Sequence, residues 1–274
     1  MLTQMVTGKQ LTSDLIVDRE FDLSETSRCS LFIRVNESGF QFCVHDPERD
    51  ALVAVGQESH SHPAKAQESL DGFLKNEFRK GTIAYHSSKA MLVPAELESE
   101  GDQCLSINFG EELSMESFFL IDEIDLGFAA AKQQVELSAW LEAFPFLNVQ
   151  CAQVVNIELM ARKHKFSKGW STYVDCHGSF IDIYVWQGSS LLMYSSYETK
   201  GPNDILYHVA NVCQQMEIEM ESSIINFSGA ISYGDALDEL LKQYMFYSTR
   251  ELKNEILLRF LLMRLLHLFK PQWN

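Results

Sequence analysis

Asp175, His177 and Asp182 stand within eight residues of one another, beside Gly178. If His177-Gly178 makes a two-residue turn, Asp175 faces Phe180 and Asp182 faces Tyr173, which sets both carboxylates on one side of a hairpin. Carboxylates so placed can hold a divalent cation, directly or through water. His177 beside Asp175 also has the residue types for acid-base chemistry. The plainer readings are a turn histidine and ordinary polar residues at a turn and a sheet edge. His60 and His62 would present two imidazoles on one side of an extended chain, but no third ligand follows at zinc-site spacing, so they read as loop histidines. No G-x-S-x-G elbow, phosphate loop or G-x-G-x-x-G run occurs, which leaves serine-hydrolase and dinucleotide-binding readings without support. No metal site is assigned.

The elements around this stretch are closely spaced. Residues 171–176, 179–186 and 191–197 are rich in β-branched and aromatic residues, and Gly188 lies in the second turn, which predicts a three-stranded meander. Pro202 opens a helix whose Ile205, Val209, Val212, Cys213 and Met216 recur along one face. The acidic run 217–221 ends it. An uncharged strand over 223–227 follows, closed by Ser228 and Gly229, and then a helix from about 235 to 244. The order is βββαβα.

The first half predicts the same series. Strands over 29–35, 40–45 and 51–55 are joined by turns at Asn36–Gly39 and Asp46-Pro47, a helix spans 64–78, and a strand covers 82–85. Residues 1–27 have no strong period and read as a leading segment, either an edge strand or a surface strap. This βββαβ repeat argues for a duplicated domain, because two parallel series support each other. Between them, 94–102 reads as an acidic loop or short helix, 118–121 and 126–129 as strands, and 132–144 as a helix. A strand over 149–154 and a helix to about 165 lead to the basic segment 163–169. The predicted lobes are therefore 1–165, with an insertion, and 166–274. The apolar run 251–269 contains Arg259 and Arg264 and falls short of a membrane span, so it reads as a core or dimer-interface helix.

Composition narrows the partners. The 274 residues are 46% hydrophobic, enough to bury a full core, and carry a formal charge of −16. That charge repels phosphate backbones and anionic membrane surfaces, and no basic cluster offsets it, so nucleic acid is not expected as a partner. Cys29, Cys43, Cys104, Cys151, Cys176 and Cys213 are scattered without a C-x-x-C pair and read as free thiols in a reducing cytoplasm. The first 18 residues have no apolar core of signal-peptide length.

The segment from Asp175 to Asp182 resembles the second phosphate turn of actin-like ATPases, the superfamily of sugar kinases and heat-shock chaperones. Asp175, Gly178 and Asp182 match that pattern. His177 and Ser179 stand where those relatives carry glycine, and Phe180 where they carry threonine. Residues 224–230 resemble the adenosine motif, with Gly229 matching and Ser228 in place of the first glycine. Together with the N-terminal strands and Leu92-Val93-Pro94, the arrangement is similar to an uncharacterised bacterial family of unknown function with an actin-like fold. The resemblance implies an α/β fold of two ribonuclease H-like lobes with mixed sheets, and a vestigial nucleotide site at Asp175, Gly178, Asp182 and Gly229.

In intact relatives glycines let backbone N–H groups approach the phosphates while carboxylates hold Mg²⁺. Here the first turn, Asn36–Gly39, has no aspartate and places Glu37 where a phosphate would come. Two like charges about 4 Å apart repel by roughly 4 kcal/mol at an effective dielectric of 20, about a thousandfold in binding. Neither turn contains Arg or Lys. The expectation is a cytoplasmic, non-catalytic scaffold that needs no cofactor, offers a cleft or an edge strand to a protein partner, and is a monomer or weak homodimer. The alternative is an ATPase or kinase-type enzyme that binds Mg-ATP.

Overall fold

Fifteen strands form three sheets among the residues that the computed structural model describes, namely 9–12, 15–18, 20–36, 39–58, 74–131, 137–177, 179–220, 223, 225–229, 236–245 and 247–248. The chain divides into two compact units, Met1–His86 with Gln134–Ala152, and Ser87–Gln133 with Gln153–Asn274.

In the first unit, β3 (Ser30–Asn36), β4 (Gly39–Asp46) and β5 (Ala51–Glu58) pair as an antiparallel meander. β6 (Lys80–Tyr85) and β10 (Leu147–Cys151) continue the sheet in parallel on the β3 side. β1 (Lys9–Thr12) and β2 (Leu15–Val17) add to the β5 edge, the edge-strand option for the leading segment. Residues 30–35 of β3 are all buried, as a central strand covered on both faces requires. Phe40 packs edge-on against Trp140 of helix α2 (Leu137–Ala143), ring centroids 5.2 Å apart, and Leu31, Ile33, Val44 and Ile83 complete that core. Of the helix predicted over 64–78, residues 64–73 lie outside the described residues, as do His60 and His62. Leu74 and Phe78 are buried in the core.

The second unit repeats the plan. β11 (Trp170–His177), β12 (Phe180–Gln187) and β13 (Ser190–Glu198) form the meander, and β14 (Ile225–Gly229) and β15 (Tyr247–Ser248) extend it in parallel. In both sheets the meander strands run third, second, first, followed by the fourth and fifth in parallel. Helices α4 (Pro202–Gln215) and α5 (Ala236–Tyr244) cover one face, with Val209, Val212 and Leu241 packed on Val174, Ile183 and Phe227. A third, antiparallel sheet of β7 (Ala90–Pro94), β9 (Leu126–Ala131) and β8 (Met115–Ile121) belongs to this unit together with helix α1 (Gly101–Phe109).

Several expectations shift. Val154 lies in helix α3 (Ala152–His164), not in a strand, because Val154, Val155 and Ile157 are buried along that helix and packing overrides their β preference. The sequence places one division near residue 165, whereas the chain passes between units at 86/87, 133/134 and 152/153. The inserted segment and α3 join the second unit through direct contacts. Ser87 N–H donates to Gln153 Oε1 at 3.2 Å, Gln153 Nε2 donates to the Ser87 carbonyl at 2.7 Å, and Arg162 holds Glu123 at 3.0 Å. Residues 251–269 lie outside the described residues.

The turn after β4 depends on one buried carboxylate. Asp46 is fully buried and accepts from Arg28 Nη2 at 2.7 Å and from the Glu48 amide at 2.9 Å. Burial pushes its pKa up, but the Arg28 hydrogen bond and the turn amides outweigh burial and hold it below the ordinary carboxylate value. Removing it leaves Arg28 only its more exposed partners Glu25 and Glu48 and strands the turn amides, so Asp46→Ala is expected to lower stability by about 2 kcal/mol in denaturant unfolding. A loss under 0.5 kcal/mol contradicts this account of the turn.

Candidate functional site

The strands of the second sheet alternate in character. Val174, Cys176, Ile181, Ile183 and Val185 face helices α4 and α5. The intervening residues, Tyr173, Asp175 and His177 on β11 with Asp182, Tyr184 and Trp186 on β12, occupy the other face. Asp175 pairs directly with Asp182, and His177 with Phe180. The connection is therefore residues 178–179, one position later than the sequence suggested, and the predicted pairings of Asp175 with Phe180 and of Asp182 with Tyr173 do not form. The cause is the extension of β11 through His177, whose buried ring anchors it to the sheet. Both carboxylates still share a face. It is His177, diagonal to Asp182, that fills the space beside them, while Phe180 is half-buried opposite His177.

Directly opposed residues in an antiparallel pair hold their Cβ atoms about 5 Å apart, so two carboxylates there need donors around them. Asp175 is 1% exposed and accepts from Ser228 Oγ at 2.8 Å and from Asn156 Nδ2 at 3.3 Å. Asp182 is fully buried, lies 3.0 Å from His177 Nε2, and accepts from the Tyr194 hydroxyl at 3.2 Å. With Asp182 ionised, the carboxylate only accepts and the shared hydrogen sits on His177 Nε2. His177 and Ser228, two of the three residues that the resemblance sets at glycine positions, are thus each the partner of one of these aspartates. An oxygen, oxygen and nitrogen donor set on one face has the chemistry of a divalent-cation site, but here each carboxylate oxygen already accepts a hydrogen bond from the protein.

Gly229 pairs with Cys176 and has φ +83°. A Cβ there would sit 1.9 Å from the Cys176 carbonyl oxygen, so close strand packing by itself requires glycine at this position. Gly178 lies outside the described residues, as do Glu37 and Ser38. Sequence reasoning missed the contribution of α3 and β13, namely Asn156 and Tyr194. The available signal was the period-two run of polar and aromatic residues in Tyr173, Asp175, His177 and Asp182, Tyr184, Trp186.

The same face buries His164, the last residue of α3. Its ring stacks on Trp186 at 5.3 Å and 10°, and its Nε2 lies 3.0 Å from the Tyr173 hydroxyl. Burial, assisted by the neighbouring Lys163 ammonium, lowers its pKa.

A family model described as Protein of unknown function (DUF3822) matches residues 18–246. The chain belongs to that family. Comparison with curated proteins found no match. Among solved structures, a Bacteroides thetaiotaomicron VPI-5482 protein with an actin-like ATPase fold and unknown function is similar over 89% of this chain and 98% of its own, with a TM-score of 0.71 and 19% identity. A chain of the PilM-PilN type IV pilus biogenesis complex is similar over 85% of this chain and 98% of its own, with a TM-score of 0.55 and 12% identity. These likenesses show the fold, the actin-like ATPase fold expected from the phosphate-turn and adenosine segments. Among the described residues no helix is long and apolar enough to cross a membrane.

Gly229→Ala is expected to destabilise the protein by about 3 kcal/mol, from positive-φ strain and overpacking together, equally with and without nucleotide. Thermal unfolding in both conditions checks this; an effect seen only with nucleotide present contradicts it. Below about pH 6.5 the unfolded chain binds a proton that folded His164 refuses, so stability falls as pH drops, until the folded imidazole also titrates. The shifts of His45 and His208 have the same direction. His164→Gln is therefore expected to flatten the decline in unfolding free energy between pH 7 and 5 without abolishing it. An unchanged slope refutes the assignment to His164.

Proposed function

We propose that this chain is a non-catalytic protein of the actin-like fold, a protein-binding scaffold whose nucleotide site is degenerate. One observation carries the reading: two of the three side chains at motif-glycine positions, His177 and Ser228, engage the motif aspartates Asp182 and Asp175 inside the sheet. A phosphate turn works through small residues that leave room for backbone N–H groups and through carboxylates free to reach a hydrated Mg²⁺. In this arrangement the imidazole occupies that room, and both carboxylates are sealed and internally bonded. The charge of −16 adds a general repulsion toward a polyphosphate. A partner protein suits this reading, and the similarly folded chain in the PilM-PilN complex belongs to a protein assembly. No resident cofactor is required, and a cytoplasmic location is proposed with it.

Calorimetric titration of Mg-ATP, with phosphate release measured alongside, tests the proposal. The expected result is no heat of binding at micromolar concentrations and no phosphate release above buffer. Micromolar binding that Asp175→Ala abolishes overturns the degenerate-site reading in favour of an ATP-dependent enzyme.

A further inference from the structure

Strand β8 ends the order of the three-stranded sheet, and among the described residues β9 is its only strand neighbour. Every second residue of an edge strand turns its N–H and C=O away from that neighbour and offers them to another chain. Proteins usually blunt such an edge with charge, proline or a bulge. The register shift between Met115 and Ser117 does so at the N-terminal end of β8. Beyond it, Ser117-Phe118-Phe119-Leu120-Ile121 has neither charge nor proline. Leu120 is 54% exposed, and Phe118 and Phe119 are half-buried. Phe118 lies across Gly127, whose missing side chain makes room for its ring, and packs on the Val93, Leu105 and Ala129 cluster, which leaves Leu120 as the exposed apolar side chain of the strand.

The surroundings select the partner's charge. Residues 111–125 contain Glu111, Glu112, Glu116, Asp122, Glu123 and Asp125 and no Lys or Arg. Glu111 is engaged by Lys89 and Glu123 by Arg162, which leaves exposed carboxylates at both ends of the uncharged strand. We infer that β8 is a docking edge for a partner's extended segment, which adds as a fourth strand with apolar side chains at alternate positions and basic residues at its ends. Backbone hydrogen bonds supply affinity in this mode, Leu120 selects apolar side chains, and the acidic flanks set charge preference. The inference rests on the scaffold reading and specifies the surface that would serve it.

The test uses the full chain and two synthetic peptides. Both have a five-residue core alternating valine and threonine; one is flanked by lysine pairs and the other by glutamate pairs. The lysine-flanked peptide is expected to bind in fluorescence anisotropy at least tenfold more tightly than the glutamate-flanked one, and to weaken as salt is raised. Hydrogen exchange in the complex should slow at residues 117–121. N-methylation of alternate peptide amides should abolish binding with the protein unaltered, and Leu120→Lys should weaken it at least tenfold. The inference is overturned if neither peptide binds at millimolar concentration, if the N-methylated peptide binds equally well, or if protection appears away from β8. Those outcomes leave the scaffold reading standing, whereas Mg-ATP turnover would sink the scaffold reading without touching the peptide result.

Discussion

Asp175 and Asp182 oppose each other across β11 and β12 and are buried from solvent, and the second unit is built to make that tolerable. Burying a carboxylate without partners costs several kcal/mol, so donors converge on the pair from the strands of the sheet and from α3. β14 brings the Ser228 hydroxyl, β13 the Tyr194 hydroxyl, α3 the Asn156 amide, and β11 itself the His177 ring. Four elements far apart in sequence are thereby tied to one pair of residues. A shift of any strand by one residue would send its donor to the helix-covered face and leave an oxygen unsatisfied.

Asp175 and Asp182 are fixed on the sheet, and His177 and Ser228 engage them from their own strands. The result is a polar face directed inward. Trp186 and His164 extend it as a stacked pair, and Phe128 of the insertion packs its ring 5.3 Å from Tyr194. The insertion thus helps to cover the face, and among the described residues β8 ends its sheet.

The two large sheets have the same strand order although their sequences share little, because order follows from connection length and handedness more than from side-chain identity. Hairpin-length links force neighbouring antiparallel strands, and the longer links between third and fourth strands return the chain in parallel beside the first. That logic is visible in the sequence. Short turns such as Gly188–Ser189, the Pro202 helix start and the period of Ile205, Val209 and Val212 were enough to place the meander, helix and fourth strand in the second unit.

The sequence by itself determined the kinds of elements, their order and the duplication, because local periodicity and turn residues encode these within a few residues. It also located Asp175, Asp182 and Gly229 as the positions of interest. Tertiary structure alone decided the hairpin register, since the difference between a turn at 177–178 and one at 178–179 rests on whether His177 is buried by its neighbours. It alone supplied Asn156 and Tyr194, which reach the carboxylates from elements 19 residues before Asp175 and 12 residues after Asp182. The requirement for Gly229 arises from a carbonyl on another strand, Cys176, rather than from its own neighbours. The membership of α3 and the insertion in the second unit was likewise a matter of packing, because hydrogen bonds such as those between Ser87 and Gln153 join residues 66 positions apart and leave no local trace.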